Sequence, residues 1–342
     1  MKLSDFDYYL PKELIAQYPS QKRDESRLLV LHRDTGKIEH RVFKDIVEYF
    51  RKGDLLLLNN TKVVPARLFG RKETGGKVEV LVLYKGQEAN SGEFEVLLKP
   101  ARGCKVGSKL IFGEGELKGE VTRIEDGRRF FRFECNGELD NMLNKFGHIP
   151  LPPYIKREDD SRDRERYQTV FASKKGAIAS PTAGLHFTKD ILSRISGNGV
   201  DVEYITLHVG YGTFKPVKDE DITNHQMEDE YFEVEKKVVD SMDRCEGRNI
   251  AVGTTTCRAL ESLGHCEAAG NGNYQGWTDA FIYPPYRFKM VDALLTNFHL
   301  SRTTLLMLVS AFCGRELLLS AYREAIKEKY RFYSYGDAML IL

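Results

Sequence analysis

The alternation of apolar and polar positions divides the chain into two kinds of territory. Between Gly70 and Gly137, short runs at 78–83, 94–98, 109–112, 119–124 and 129–133 alternate in polarity and are bounded by turn residues. That period of two, at hairpin spacing, predicts antiparallel strands. This fifth of the chain also holds 12 of the 29 glycines. Five or six such strands with no helix between them are expected to close into a small barrel, because closure removes exposed edges. The flanks read differently. Continuous apolar runs at 200–209 and 249–252 are followed by turn residues and then by helical periodicity, as at 257–263. Unbroken apolar strands alternating with helices predict an α/β layer with an open, mostly parallel sheet. Because 55–58 has the same character, the first part of the chain belongs to the same unit and the barrel is an insertion. The predicted organisation is an α/β domain formed by 1–68 and 148–342, interrupted by an antiparallel β-barrel domain over 69–147. Two crossings, near Leu68 and at Gly147-His148, predict that the parts hinge.

Composition narrows the class. At 342 residues, 42% hydrophobic and 30% charged, the chain is globular and far from the disordered regime. Lys and Arg number 51 against 50 Asp and Glu, so a nucleic-acid partner must be held by a local basic patch. The N-terminus carries acids and no apolar run, and the longest apolar stretch, 305–313, is half of what a bilayer span needs. A cytoplasmic protein with no membrane partner is expected. Six scattered cysteines, with no Cys-x-x-Cys pair, read as reduced thiols. The segment 156–166, with ten charges in eleven residues, reads as a solvated loop.

Functional residues in open α/β sheets collect on the turns that follow strands. Four such turns carry candidate chemistry. The first is Ser180-Pro181-Thr182-Ala183-Gly184-Leu185-His186-Phe187, ahead of a helix capped by Thr188. The second is His208-Val209-Gly210-Tyr211-Gly212-Thr213-Phe214, the third Gly253-Thr254-Thr255-Thr256-Cys257-Arg258, and the fourth Thr296-Asn297-Phe298-His299-Leu300. Lys215 stands where a dinucleotide fingerprint needs its third glycine, and no P-loop lysine follows Gly253. A nucleotide-binding Rossmann site is therefore excluded. His225 and the acids through Glu230 fit no metal-ligand spacing, so no metal is expected, and a base or hydroxyl ligand is the better reading.

Taken together these stretches resemble the S-adenosylmethionine:tRNA ribosyltransferase-isomerase family of queuosine biosynthesis. The resemblance runs the length of the chain: Gln17-Tyr18-Pro19, Asn59-Asn60-Thr61-Lys62-Val63-Val64-Pro65-Ala66-Arg67-Leu68, Gly147 to Ile155, Pro181 to Phe187, Leu207 to Gly210, Val252 to Thr255, Thr296 to Leu300, and Tyr330 to Phe332 with Ser334 to Met339. Three places differ from the family pattern: Ser180, Pro285 and the run Ser301-Arg302-Thr303-Thr304.

The resemblance implies an α/β domain interrupted by a barrel. It also implies transfer and isomerisation of the ribosyl moiety of S-adenosylmethionine onto 7-aminomethyl-7-deazaguanine at the tRNA wobble position. Epoxyqueuosine-tRNA forms, and adenine and methionine leave. S-adenosylmethionine is a co-substrate here, and no permanently bound cofactor is implied. The tRNAs are those with a guanosine-first anticodon, for Asp, Asn, His and Tyr, and a monomer is expected. Such chemistry needs groups for proton transfer, for which His186, His208 and Glu230 are the candidates. A substrate pocket is expected from Thr182, Gly184, Gly210, Gly212, Thr213, Gly253, Thr254, Thr255, Arg258, Asn297 and His299. Within it the 253–255 turn would hold a carboxylate or ribose oxygen at a helix N-terminus, with Arg258 as charge partner. Tyr211, Phe214 and Phe298 are candidates to face the sulfonium. For tRNA phosphates the candidates are Lys62, Arg67, Arg71 and Lys72.

Overall fold

A computed structural model describes residues 1–83, 92–135, 137–210, 212, 217–266 and 268–342. The chain opens with the antiparallel pair β1 (Arg27–Leu31) and β2 (Ile38–Val42), then β3 (Leu55–Asn59) and the short β4 (Thr61–Val63). Six strands follow: β5 (Arg67–Lys72), β6 (Lys77–Leu83), β7 (Glu93–Lys99), β8 (Lys109–Phe112), β9 (Leu117–Glu125) and β10 (Arg128–Cys135). They close into an antiparallel barrel in the order β10-β7-β6-β5-β8-β9. Alternate residues such as Val78, Val80 and Val82 point into the lumen, where Phe112 and Phe131 fill the centre. That inward alternation is the period of two read from the sequence.

Helix α1 (Leu139–Phe146) returns the chain to the α/β unit, followed by α2 (Asp163–Arg166), β11 (Lys174–Ala177), α3 (Lys189–Gly197), β12 (Asp201–Leu207), β13 (Glu230–Val234) and α4 (Lys236–Asp243). Then come β14 (Asn249–Val252), α5 (Thr254–Ser262), β15 (Tyr274–Thr278), β16 (Ala293–Asn297), α6 (Thr304–Cys313), α7 (Arg315–Lys327) and β17 (Ala338–Ile341). The sheet has nine strands in the order β15-β13-β12-β3-β14-β16-β17-β1-β2. Its centre, β12-β3-β14-β16, is parallel, and antiparallel pairings appear toward both edges. Successive side chains serve opposite faces: Leu55 and Leu57 enter the core under α4 to α7, whereas Leu56 and Leu58 face α3 and the turn at Phe43–Tyr49. Burial on both faces is why these strands read as unbroken apolar runs. Each fully buried leucine contributes about 1.5–3 kcal/mol. No single helix among the described residues is long and apolar enough to cross a membrane.

The charged segment 156–166 departs from expectation. Instead of a solvated loop, it is a clasp. Asp163 is buried and accepts two bonds from Arg157, at 2.6 and 2.8 Å, and one from the Tyr335 hydroxyl at 2.6 Å. Arg164 reaches the carbonyls of Asn144 and Gly147, and Arg166 those of Ser20 and Gln21. A charge run reads as solvated only until its partners are known, and these partners are distant carbonyls and one buried carboxylate.

The second crossing is equally tight. His148 and Arg67 exchange backbone bonds of 2.8 and 3.2 Å, and a Cβ on Gly147 would lie 1.9 Å from the carbonyl oxygen of Pro65 and 2.4 Å from that of Leu143. Glycine is needed there for close approach, since its φ of −80° suits any residue. Gly147→Ala is expected to lower stability by about 1–3 kcal/mol or more, because two backbone carbonyls cannot rotate away. Urea unfolding of the variant checks this, and a midpoint equal to the parent's would show that the crossing has room.

Candidate functional site

The four central strands stop together, and their ends pose one chemical problem: peptide groups at the edge lose their ladder partners and must find others. Two buried asparagines solve it. At the end of β3, the Asn59 amide donates to Leu207 O at 2.9 Å and Thr255 Oγ1 at 3.4 Å, and its oxygen accepts from the N–H groups of Thr61 and Leu207 at 3.0 and 3.1 Å. At the end of β16, the Asn297 amide donates toward His186 Nε2 at 3.2 Å and the carbonyls of Tyr333 and Asp337, both at 3.3 Å. Its oxygen accepts from Thr182 Oγ1 at 3.0 Å. The turn after β16 is thereby fixed against Thr182, and the turns after β12 and β14 against the end of β3.

Between them lies a cavity of about 390 Å³. Its floor is the start of α5, where Gly253 takes φ +91°, a conformation that favours glycine, and turns the chain so that Thr254 and Thr255 face the cavity. The N–H groups of this first helical turn and its positive dipole end suit an anion. Thr182, Asn297 and His299 supply polar wall, and Pro153, Tyr154, Leu305 and Tyr333 supply apolar wall. Ser180 Oγ, also on the wall, is buried without a hydrogen-bond partner, a vacancy that a ligand atom can satisfy. The volume and the mix of apolar wall with few polar groups are those of a small-molecule site.

Six of the residues expected in the pocket therefore line it: Thr182, Gly253, Thr254, Thr255, Asn297 and His299. Gly184, Gly210, Gly212 and Arg258 are not among the lining residues. Gly184 is buried against Thr169 and Phe171, and Gly212 lies against Glu228. Arg258 lines a small adjoining cleft that shares Thr254, Thr255 and Leu305 with the cavity. Thr213, with Tyr211 and Phe214, lies outside the described residues. Phe298 is fully buried beside the cavity.

The proton-transfer candidates separate by environment. His186 is enclosed: Nε2 meets the Asn297 amide, Nδ1 lies 2.7 Å from Ser26 Oγ, and the ring packs on Phe43. Burial pushes its pKa down to about 3, so it is a neutral ring with both nitrogens used, and its place is behind Asn297 and not on the cavity wall. His208 also stands off the wall, with Nδ1 2.8 Å from Thr61 Oγ1, and burial lowers its pKa. Glu230 forms a buried ion pair with Arg258 and accepts the Gly210 N–H at 2.8 Å. Arg258 is thus engaged by Glu230, while burial lowers its pKa to about 10, still cationic at neutral pH. The histidine that does face the cavity is His299, whose Nε2 lies 2.7 Å from Thr296 Oγ1 and whose pKa burial also lowers to about 3.

The basic residues at the barrel junction do not form one free cluster. Arg67 pairs with Glu79 and donates to Leu151 O, and Lys72 donates to Arg102 O. Lys62 and Arg71 are exposed. Among the described residues no group of three His, Cys, Asp or Glu side chains is placed to hold a metal ion. Asn59, Tyr154, Ser180, Tyr333 and Ser334 also belong to the site or its frame, and residue type alone does not single them out. Asn59, Tyr154 and Ser334 fall inside the family-like stretches, Tyr333 lies in the gap between two of them, and Ser180 is one of the three departures, so the signal was present in position for some and in chemistry for none.

A family model described as queuosine biosynthesis protein matches residues 3–341. S-adenosylmethionine:tRNA ribosyltransferase-isomerases of Acetivibrio thermocellus and Clostridioides difficile are 53% and 51% identical to this chain, with 100% of both chains covered in each case. Among solved structures, the S-adenosylmethionine tRNA ribosyltransferase of Thermotoga maritima is similar, with a TM-score of 0.56 and 39% identity over 99% of this chain and 100% of that one.

The buried histidines make stability depend on pH. His186 and His299 stay neutral in the folded protein down to about pH 3. In the unfolded chain they take up protons below about 6.5. The unfolded state therefore binds more protons between these values, and stability falls as pH drops through that window, by about 2 kcal/mol per histidine at pH 5. Urea unfolding at pH 7, 6 and 5 is expected to show this decline, and His299→Asn to lessen it. A midpoint independent of pH in that range would show that the rings are charged or solvated in the folded state.

Proposed function

The chain belongs to the queuosine biosynthesis protein family, whose named members are S-adenosylmethionine:tRNA ribosyltransferase-isomerases, and on that premise we propose that the cavity takes S-adenosylmethionine as co-substrate and serves a tRNA wobble base. The protein is a transferase. In the proposed reaction its ribosyl moiety passes, with isomerisation, to 7-aminomethyl-7-deazaguanine in tRNAs for Asp, Asn, His and Tyr. Epoxyqueuosine-tRNA, adenine and methionine are the products.

The observation that carries this reading is the pairing of an anion-ready helix start at Thr254 and Thr255 with an aromatic wall of Tyr154 and Tyr333 in one cavity. The co-substrate has matching halves: a carboxylate suits the helix N-terminus, and a sulfonium and a purine suit the rings. Cation–π contact with such rings is worth about 0.5–2 kcal/mol. In the proposed pose Thr182 and Ser180, both on the cavity wall, hold ribose hydroxyls. Because Arg258 is committed to Glu230, the carboxylate is assigned to the α5 amides, with Arg258 contributing charge from behind.

His299 is the proton-transfer group assigned to the wall. Because burial disfavours its charged form, its neutral ring is assigned a relay: it takes a proton from the acidified 5′ carbon only as it passes one on to departing adenine. Glu230 and His208 occupy the next layer, and His186 positions Asn297. In the proposed division of labour, Asn297 and Asn59 are positioning residues.

The direct test is mass spectrometry of tRNA carrying the aminomethyl base after incubation with S-adenosylmethionine, with adenine and methionine followed in parallel. The epoxide-bearing nucleoside is expected, whereas S-adenosylhomocysteine would identify a methyl transfer instead. His299→Ala is expected to reduce kcat by about 10²–10⁴-fold. His186→Ala is expected to act mainly through stability. If His299→Ala, His208→Ala and Glu230→Gln each kept turnover within a few-fold of the parent, acid–base work by these side chains would be excluded.

A further inference from the structure

One face of the sheet continues past its helical cover. On the side covered by α3, a row of rings crosses three neighbouring strands: His208 after β12, Tyr231 on β13 and Trp277 on β15. The His208 and Tyr231 rings stack with centroids 6.1 Å apart and planes inclined at 20°. Tyr231 and Trp277 are cross-strand partners, meeting edge to face at 5.5 Å. Exposure grows along the row, from 9% at His208 to 40% at Trp277, and Gln275 on the same face is exposed. The other side of β13 is closed by core packing of Phe232 and Val234. An aromatic ladder that begins at a residue adjoining Val209 of the cavity wall and ends in solvent is costly to leave bare.

Charge lies beside it. β11 pairs in parallel with β4, so Lys174 stands opposite Thr61 and Lys175 opposite Lys62. All three lysines are exposed. Lys174 lies 3.9 Å from Glu233, which places it against the bare face of β13, and Lys175 pairs with Asp140 at 2.6 Å. Glu233 also accepts from the Tyr231 hydroxyl at 3.0 Å. Lys62, Lys174 and Lys175 thus line this margin, beside rings available for stacking, with Glu233 and Asp140 the acids that two of them meet.

We propose that the His208–Tyr231–Trp277 row, flanked by Lys62, Lys174 and Lys175, is a stacking platform for unpaired bases of an RNA loop. Single-stranded RNA is recognised by aromatic stacking beside cations that follow its backbone. The row leads to the cavity, so bases laid on it are the neighbours of the one that enters. This inference rests on the reading of the protein as an enzyme acting on tRNA, and it supplies the base-stacking surface that the barrel-junction lysines and arginines do not.

Trp277 is the only tryptophan in the chain, so tryptophan emission, excited at wavelengths that tyrosine does not absorb, reports on this face alone. The full-length protein is titrated with an unlabelled RNA stem-loop of anticodon-arm sequence and with a blunt duplex of the same stem, while filter binding measures affinity independently. Quenching by the stem-loop and not by the duplex is expected. Trp277→Ala should weaken stem-loop binding roughly tenfold or more and Trp277→Phe by less than about threefold. Lys174→Glu should weaken it and lower the salt dependence. Stem-loop binding with unchanged emission, and with Trp277→Ala equal to the parent, would overturn the platform and leave the tRNA reading standing. Equal quenching by the duplex, or emission that changes with protein concentration alone, would also overturn it, the latter by showing a contact between copies. Failure of the parent protein to bind tRNA or stem-loop at all would remove both.

Discussion

Where β12, β3, β14 and β16 end together, the peptide groups of the sheet edge must be satisfied by something other than another strand, and two buried asparagine side chains do this. Asn59 joins β3 to the end of β12 and to Thr255 at the start of α5. Asn297 joins β16 to Thr182, to His186 and to the carbonyls of Tyr333 and Asp337. Each amide presents donors and acceptors in one plane, so satisfying all of them fixes several turns in mutual register. The cavity is the space those turns leave. Loss of either amide would strand buried partners, each at about 1–3 kcal/mol, and release the walls.

The same dryness that makes these bonds matter sets the electrostatics. Buried histidines are held neutral, Arg258 remains charged against Glu230, and the helix start at Thr254 faces a cavity with largely apolar walls. In such surroundings fixed dipoles act more strongly than in solvent. Farther out, the Arg157–Asp163–Tyr335 cluster and the carbonyl contacts of Arg164 and Arg166 tie the N-terminal segment, the barrel exit and the C-terminal turn together. The expected hinge at Gly147-His148 is thus crossed by several hydrogen bonds.

Much of the architecture was legible because burial pattern follows from local geometry. Alternation revealed the barrel strands, unbroken apolar runs revealed β3, β12 and β14, and Thr188 caps α3 as its position suggested, accepting from Ile191 N at 3.2 Å. The positions of the turns singled out were legible for the same reason, since three of them follow parallel strands of the sheet and the fourth packs against them. What residue type alone does not carry is the partner. His186 is 111 positions from Asn297, and Asp163 is 172 from Tyr335. Nothing in a histidine's own neighbourhood tells a packed ring from a cavity wall, or in a charge run tells a solvated loop from a clasp. His186 and His299 differ in that one respect, and only the fold decides it.

The most direct measurement is a crystal structure of the protein soaked with S-adenosylmethionine. Ligand density is predicted between Thr254, Thr255, Asn297 and His299, with the carboxylate at the start of α5 and the two asparagine amides unmoved. Density confined to the barrel, or a cavity that stays without ligand while density appears elsewhere, would contradict the assignment of this sheet edge as the co-substrate site.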